Sequence, residues 1–294
     1  MRSMTTRALV LGGGGPVGIG WENGLVAGFA RAGVDLGQAD FILGTSAGAF
    51  VGARLALGID ARTFADQSSD PARREAVARA GPAPDLRRLI ELMAEAQGGK
   101  RNPAEVRAEI GAMALAADTM SEDDFIRTFG RSFASLPRFA WPEKDFACTA
   151  VDAEDGGFRL WTKAAGVGVT RAVASSCSVP GVYPPITIDG RRYIDGGMRS
   201  STNADMAAGY DVVVVVAVRL AGPGEIGERV RAKLDEEVQT LQDGGATVVV
   251  IGPDEASAEA FGPNLMDPSR VPGAVQAGLA QGAAQAEVLK GYWT

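Results

Sequence analysis

The chain has 294 residues, 46% of them hydrophobic, which suits one large domain with a sizeable core. Its net charge of −7 argues against a nucleic-acid partner, and the absence of histidine removes the commonest general base and metal ligand. The two cysteines, Cys148 and Cys177, lack metal or redox spacing; we expect no metal or cofactor and a reducing compartment, the cytoplasm.

In chain order, residues 7–11 (RALVL) read as a strand that feeds a glycine-rich loop and then a helix ending near Ala32. Phe41-Ile42-Leu43 is a second buried strand. The pentapeptide Gly44-Thr45-Ser46-Ala47-Gly48 follows it, and a tightly packed helix runs on to Leu57, closed by Gly58. A βαβα opening predicts a parallel sheet. Residues 60–140 change character: short helical patterns, including Leu86, Leu89, Ile90 and Met93 at i, i+3, i+4, i+7 spacing, are broken by prolines and by Gly98-Gly99. They predict a helical insertion within a single domain spanning 1–294. Strands return at 145–151, 158–161, 186–188 and 192–194, then at 212–218 and 247–251 around a charged helix at 225–242. A helix at about 273–290 ends the chain. The longest aliphatic stretch, 212–218, is far too short to span a bilayer.

The pattern GxSxG between a strand and a helix is a nucleophile elbow, in which small residues permit a turn sharp enough to expose a serine hydroxyl at the edge of a sheet. The bland alternative is an ordinary strand-to-helix turn in a glycine-rich protein. Without histidine, an activated Ser46 needs another base, and a carboxylate is the first candidate. A Ser-x-x-Lys arrangement is absent as well.

Gly13-Gly14-Gly15-Pro16-Val17-Gly18 matches GxGxxG, which is also a dinucleotide-binding fingerprint. Both readings use bare N–H groups facing an anion at a helix N-terminus. A nucleotide site wants an acid at the end of the second strand, and here that strand ends in GTSAG. Beside a nucleophile, free N–H groups make an oxyanion hole, the favoured reading.

Asp-Gly-Gly occurs three times. Asp155-Gly156-Gly157 reads as a hairpin turn, and Asp243-Gly244-Gly245 as a helix C-cap. Asp195-Gly196-Gly197 follows a strand directly and has no structural role as plain as the other two, so Asp195 is the best candidate base.

These three motifs, in this order, resemble the patatin-like phospholipase family, and Ala174–Pro185 resembles the family's proline-containing segment ahead of the aspartate. The resemblance implies a three-layer α/β/α fold with a mostly parallel central sheet. It further implies a Ser–Asp dyad of Ser46 and Asp195 and hydrolysis of acyl esters, often lipids, with transient contact to a membrane surface. Oxyanion donors would come from the backbone at Gly13, Gly14, Gly15 and Val17, with Gly18, Gly44, Gly48, Gly196 and Gly197 completing the motifs. Val17 stands where the family usually has Arg or Lys, which removes a fixed positive charge near the substrate. Two rivals remain: a nucleotide-binding protein using residues 13–18, and a catalytically silent lipid-binding protein. Met93, Met113 and Met120 are read as core fillers in preference to an acyl pocket, and Arg73-Arg74 and Arg87-Arg88 as solvated faces. Cys177 is assigned to packing, and Trp21 and Trp161 to the core.

Overall fold

A computed structural model describes residues 5–68, 86–97, 101–133, 136–220 and 224–293. The central sheet has eight strands: β1 (Arg7–Leu11), β2 (Phe41–Gly44), β3 (Asp145–Asp152), β4 (Phe158–Trp161), β5 (Ile186–Ile188), β6 (Arg191–Asp195), β7 (Val212–Val216) and β8 (Thr247–Ile251). Their order is β5-β6-β3-β2-β1-β7-β8, with β4 paired to β3 off that path. β3, β2, β1, β7 and β8 run parallel, while β4, β6 and β5 add antiparallel pairs at one side. The helices are α1 (Gly15–Arg31), α2 (Ala47–Ala56), α3 (Phe64–Ser68), α4 (Arg87–Gln97), α5 (Pro103–Ala116), α6 (Glu122–Gly130), α7 (Val169–Ser176), α8 (Gly224–Asp243), α9 (Glu255–Phe261) and α10 (Val271–Trp293).

Strand alternation divides the core into two layers. Leu9, Leu11 and Ile42 face the large cluster built with α1, α2, α7 and α10, while Ala8, Val10, Leu43, Val213 and Val215 face Leu234 and Leu241 of α8. Helices thus cover both faces of a mixed, mostly parallel sheet, as a three-layer α/β/α fold requires. Parallel strands buried on both faces read as continuous apolar runs, which is why VVVVV at β7 was legible as a strand. Between α2 and β3 the described residues contain α3 to α6 and 3-10 turns but no strand. Leu89, Leu92, Val106 and Ile110 of this block pack on Val151, Ile194 and Met198 in a third cluster over the β3–β6 side.

The last helix braces the first. A Cβ at Gly24 would lie 2.1 Å from the Val275 carbonyl oxygen, and one at Gly278 would lie 2.3 Å from that of Trp21. Only glycine lets α1 and α10 approach this closely. Trp21 Nε1 also donates to Ser257 Oγ at 3.1 Å and to Gln281 Oε1 at 3.2 Å, so a buried polar knot fixes the crossing. Because α1 begins directly after the glycine loop, this packing holds the loop in place. Trp21 and Trp161 are both fully in the core.

Candidate active site

β1 and β2 are neighbours with Leu11 opposite Gly44, so the glycine loop and Ser46 leave the sheet side by side at its C-terminal edge. That edge is where ligand sites form in open α/β sheets. Backbone bonds lock the two turns together: Thr45 N–H donates to Leu11 O at 3.0 Å and Gly48 N–H to Gly12 O at 3.0 Å. A Cβ on Gly48 would fall 2.0 Å from Leu11 O, and one on Gly44 would fall 2.4 Å from Ala49 Cα, so the glycines at the ends of the pentapeptide are sterically required. Ser46 itself takes φ 53° and ψ −115°, one of three non-glycine residues with positive φ among those described. Such a conformation costs on the order of 1–3 kcal/mol and persists only where surroundings impose it.

The surroundings come largely from α7 and its C-terminus. Ser46 N–H donates to Ser176 Oγ at 3.0 Å, and the Cys177 thiol donates to Ser46 O at 3.0 Å. Both peptide groups of the strained residue are satisfied. Cys177 therefore does structural work at the elbow, and burial pushes its thiol pKa well above the ordinary value, with the nearby Asp195 adding to the rise.

Asp195 is the last residue of β6, paired opposite Ala150 of β3, with its N–H donating to Ser178 O at 3.0 Å. Its carboxylate accepts from Gly197 N–H at 2.7 Å and shares one cleft with the Ser46 side chain. The side chain is buried, and burial pushes its pKa up to about 7 from a carboxylate's ordinary 3.8, while the neighbouring Ser46 side chain and the Gly197 N–H pull the other way. The other two Asp-Gly-Gly tripeptides take the roles expected of them. Asp155 sits in the β3–β4 turn and pairs with Arg191 at 2.6 Å; Asp243 closes α8 ahead of Gly245 at φ 93°.

A buried amide joins the two halves of the site. Asn203, at φ 52°, donates through Nδ2 to Thr45 Oγ1 at 3.1 Å and Ser200 O at 2.7 Å, with Gly196 O at 3.4 Å. It thereby ties the residue before Ser46 to the residue after Asp195. Glu237 of α8 fixes the same loop by accepting from Thr202 Oγ1 at 2.6 Å and Ala204 N–H at 2.9 Å. Sequence reading missed Ser176 and Asn203. The signal available was a run of small polar residues (ASSCS, STN) in segments with no exposed periodicity.

The glycine loop requires a correction. The N–H groups of Gly13 and Val17 are consumed, donating to Ser201 O at 2.7 Å and Leu265 O at 3.2 Å. Those of Gly14 and Gly15 have no such partner among the described residues, so of the four expected donors only these two are left free to face a ligand. Val17 is fully buried and brings no charge to the site. Beneath the loop, Glu22 of α1 is wholly buried near Gly12, and burial raises its carboxyl pKa well above the ordinary range.

Ser46, Asp195 and Gly13–Gly15 open into one cleft with about 890 Å³ of empty space, part of it continuous with solvent. The α4 stripe read from its spacing lines this cleft with Leu86, Leu89, Ile90 and Met93, so Met93 faces it; Met113 packs against the third cluster and Met120 is exposed. Arg88 is an exposed partner of Glu91 and Glu109, while Arg73 and Arg74 lie outside the described residues. Among the described residues, no group of three His, Cys, Asp or Glu side chains is placed to hold a metal ion, and no helix is long and apolar enough to cross a membrane.

The sheet, the strained serine elbow and the buried aspartate describe a hydrolase-type α/β site. The family model for patatin-like phospholipases matches residues 9–208, more than half of the chain, and the protein belongs to that family. Membership places it among lipid-acyl hydrolases. Solved structures similar to it include VipD from Legionella pneumophila (TM-score 0.47, 13% identity, covering 97% of this chain and 67% of VipD). Another is the type III effector protein ExoU (TM-score 0.40, 17% identity, covering 97% of this chain and 53% of ExoU). The chain thus spans about half the length of the ExoU structure. No curated protein is significantly similar in sequence.

Proposed function

We propose that the protein hydrolyses carboxylic esters of lipids through an acyl-enzyme on Ser46, with Asp195 as the only general base. The observation that carries this reading is the strained Ser46 elbow sharing one cleft with the buried Asp195 carboxyl, whose pKa burial pushes up to about 7. A base with a pKa near the working pH combines a large ionised fraction with real proton affinity. As Ser46 Oγ attacks the ester carbonyl carbon, its proton passes to Asp195. The developing oxyanion is held by the Gly14 and Gly15 N–H groups. Collapse breaks the acyl–oxygen bond, and the alcohol leaves with the proton from Asp195. Water then gives a proton to Asp195 and attacks the acyl-serine; Ser46 leaves, recovers the proton, and the fatty acid is released. The apolar α4 stripe offers room for the acyl chain, and the site needs no metal or cofactor for these steps. We further propose that it meets its substrate at a membrane surface from the cytoplasm.

Labelling with a fluorophosphonate tests the reading. Wild-type protein should be labelled once, and Ser46→Ala should lose the label and p-nitrophenyl ester cleavage while keeping its circular dichroism spectrum. Undiminished turnover by folded Ser46→Ala contradicts it.

A further inference from the structure

The chain is acidic overall, at −7, yet its catalytic cleft is not. Among the described residues, Asp195 is the only acid that lines it, whereas two cations do, Arg219 and Lys233. Arg219 follows β7 by three residues. Its neighbour Val218 packs so closely on the glycine loop that a Cβ on Gly14 would fall 2.5 Å from Val218 Cγ1, which sets Arg219 beside the oxyanion donors. Lys233 comes from α8, as does the apolar lining residue Val230, and is half-buried with an ion pair to the exposed Glu236 at 2.9 Å. No described acidic side chain pairs with Arg219, which is exposed and lines the cleft.

A guanidinium without an acidic partner beside a cleft is a site for a phosphate, which it grips with two parallel N–H bonds. Most of the other lining side chains are apolar, Leu86, Ile90, Met93 and Val230 among them, with Ser201 and Asn264 as polar members. The cleft therefore offers both cationic and apolar side chains to a molecule held at Ser46. Resting on the hydrolase reading above, we propose that Arg219, assisted by Lys233, is the specificity determinant of this site, selecting acyl esters whose alcohol carries a phosphate over neutral esters of the same acid. Both groups lie beyond residue 208, outside the segment matched by the family model. The positive charge that Val17 does not supply would come from a different part of the chain.

The test uses Ser46→Ala protein, which binds without turnover, and three probes: 1-octanoylglycerol 3-phosphate, 1-octanoylglycerol and glycerol 3-phosphate. Calorimetry should show the acyl phosphate binding about tenfold more tightly than the neutral ester, the scale of one hydrogen-bonded charge. The preference should weaken with salt, vanish on adding Arg219→Ala and survive in part with Arg219→Lys. Equal affinity for the two esters, or a preference that persists without Arg219, overturns the assignment. So does glycerol 3-phosphate binding as tightly as its acyl ester, which would mark a site for free phosphate. Turnover is read separately on protein with Ser46 intact. If the affinity pattern holds but neither ester is cleaved, the hydrolase reading fails and the Arg219 assignment stands. If both are cleaved equally well and the pattern is absent, the reverse is true.

Discussion

Replacing Asp195 by Asn should destroy activity and stabilise the fold, and the stabilisation should depend on pH. The wild-type carboxyl has its pKa raised by burial from 3.8 to about 7. A group whose folded pKa is raised contributes stability that is fully present below the unfolded pKa and is lost as pH climbs through the folded one. For Asp195 that window runs from about 4 to about 7. Above it the full difference applies, about 4 kcal/mol at 1.36 kcal/mol per pH unit. At pH 5, early in that window, less than half of this loss has set in. An amide does not titrate, and its Oδ1 can still accept from Gly197. Asp195→Asn should therefore exceed wild type by up to about 4 kcal/mol at pH 8.5, or about 6 °C in Tm for a chain of this length, with a clearly smaller excess at pH 5. Urea denaturation at the two pH values measures it. Asp155→Asn is the control: Asp155 is exposed and paired with Arg191, so its variant should keep activity and show no such gain. An Asp195→Asn variant no more stable at pH 8.5 than at pH 5, relative to wild type, would refute the reasoning.

Three further outcomes are expected. The acid limb of wild-type kcat/KM should fall near pH 7, because Asp195 must be ionised to accept the proton; a limb below pH 5 would mean the carboxyl is more solvated than it is here. Ser46→Gly should lose activity yet raise stability by about 1 kcal/mol at pH 5, since glycine accepts the positive φ without strain; a destabilised variant in calorimetry would show that the elbow is not strained. Asn203→Ala should lower kcat at least tenfold with little change in KM and cost about 2 kcal/mol of stability, because it leaves buried polar groups of both motif loops unpaired; unchanged kcat in a folded variant would count against a positioning role.

The parts of the site that sequence revealed are those built from local chain. Gly44–Gly48 is legible because its glycines are demanded by contacts with Leu11 and Ala49, in the adjoining strand and within the turn itself. The choice among the three Asp-Gly-Gly tripeptides was harder for a physical reason. Asp155 and Asp195 make the same local turn, each accepting from the glycine two residues on, at 2.8 and 2.7 Å. What separates them is tertiary: the Asp155 side chain is 59% exposed, whereas Asp195 is 2% exposed against Ser46. The oxyanion donors were over-assigned for a related reason. Whether an N–H is free depends on carbonyls such as Ser201 and Leu265 that arrive from far along the chain. α7 escaped notice because its eight residues carry only a short apolar face, and its value lies in Ser176 reaching Ser46.

The most direct test of the account is to trap the intermediate. Wild-type protein mixed with p-nitrophenyl octanoate and quenched in acid within the first turnover should carry one octanoyl group, and peptide mass spectrometry should place it on Ser46. Asp195→Asn should carry none on the same timescale. Turnover that continues with no acyl group on Ser46, or with the group on another residue, would contradict the mechanism.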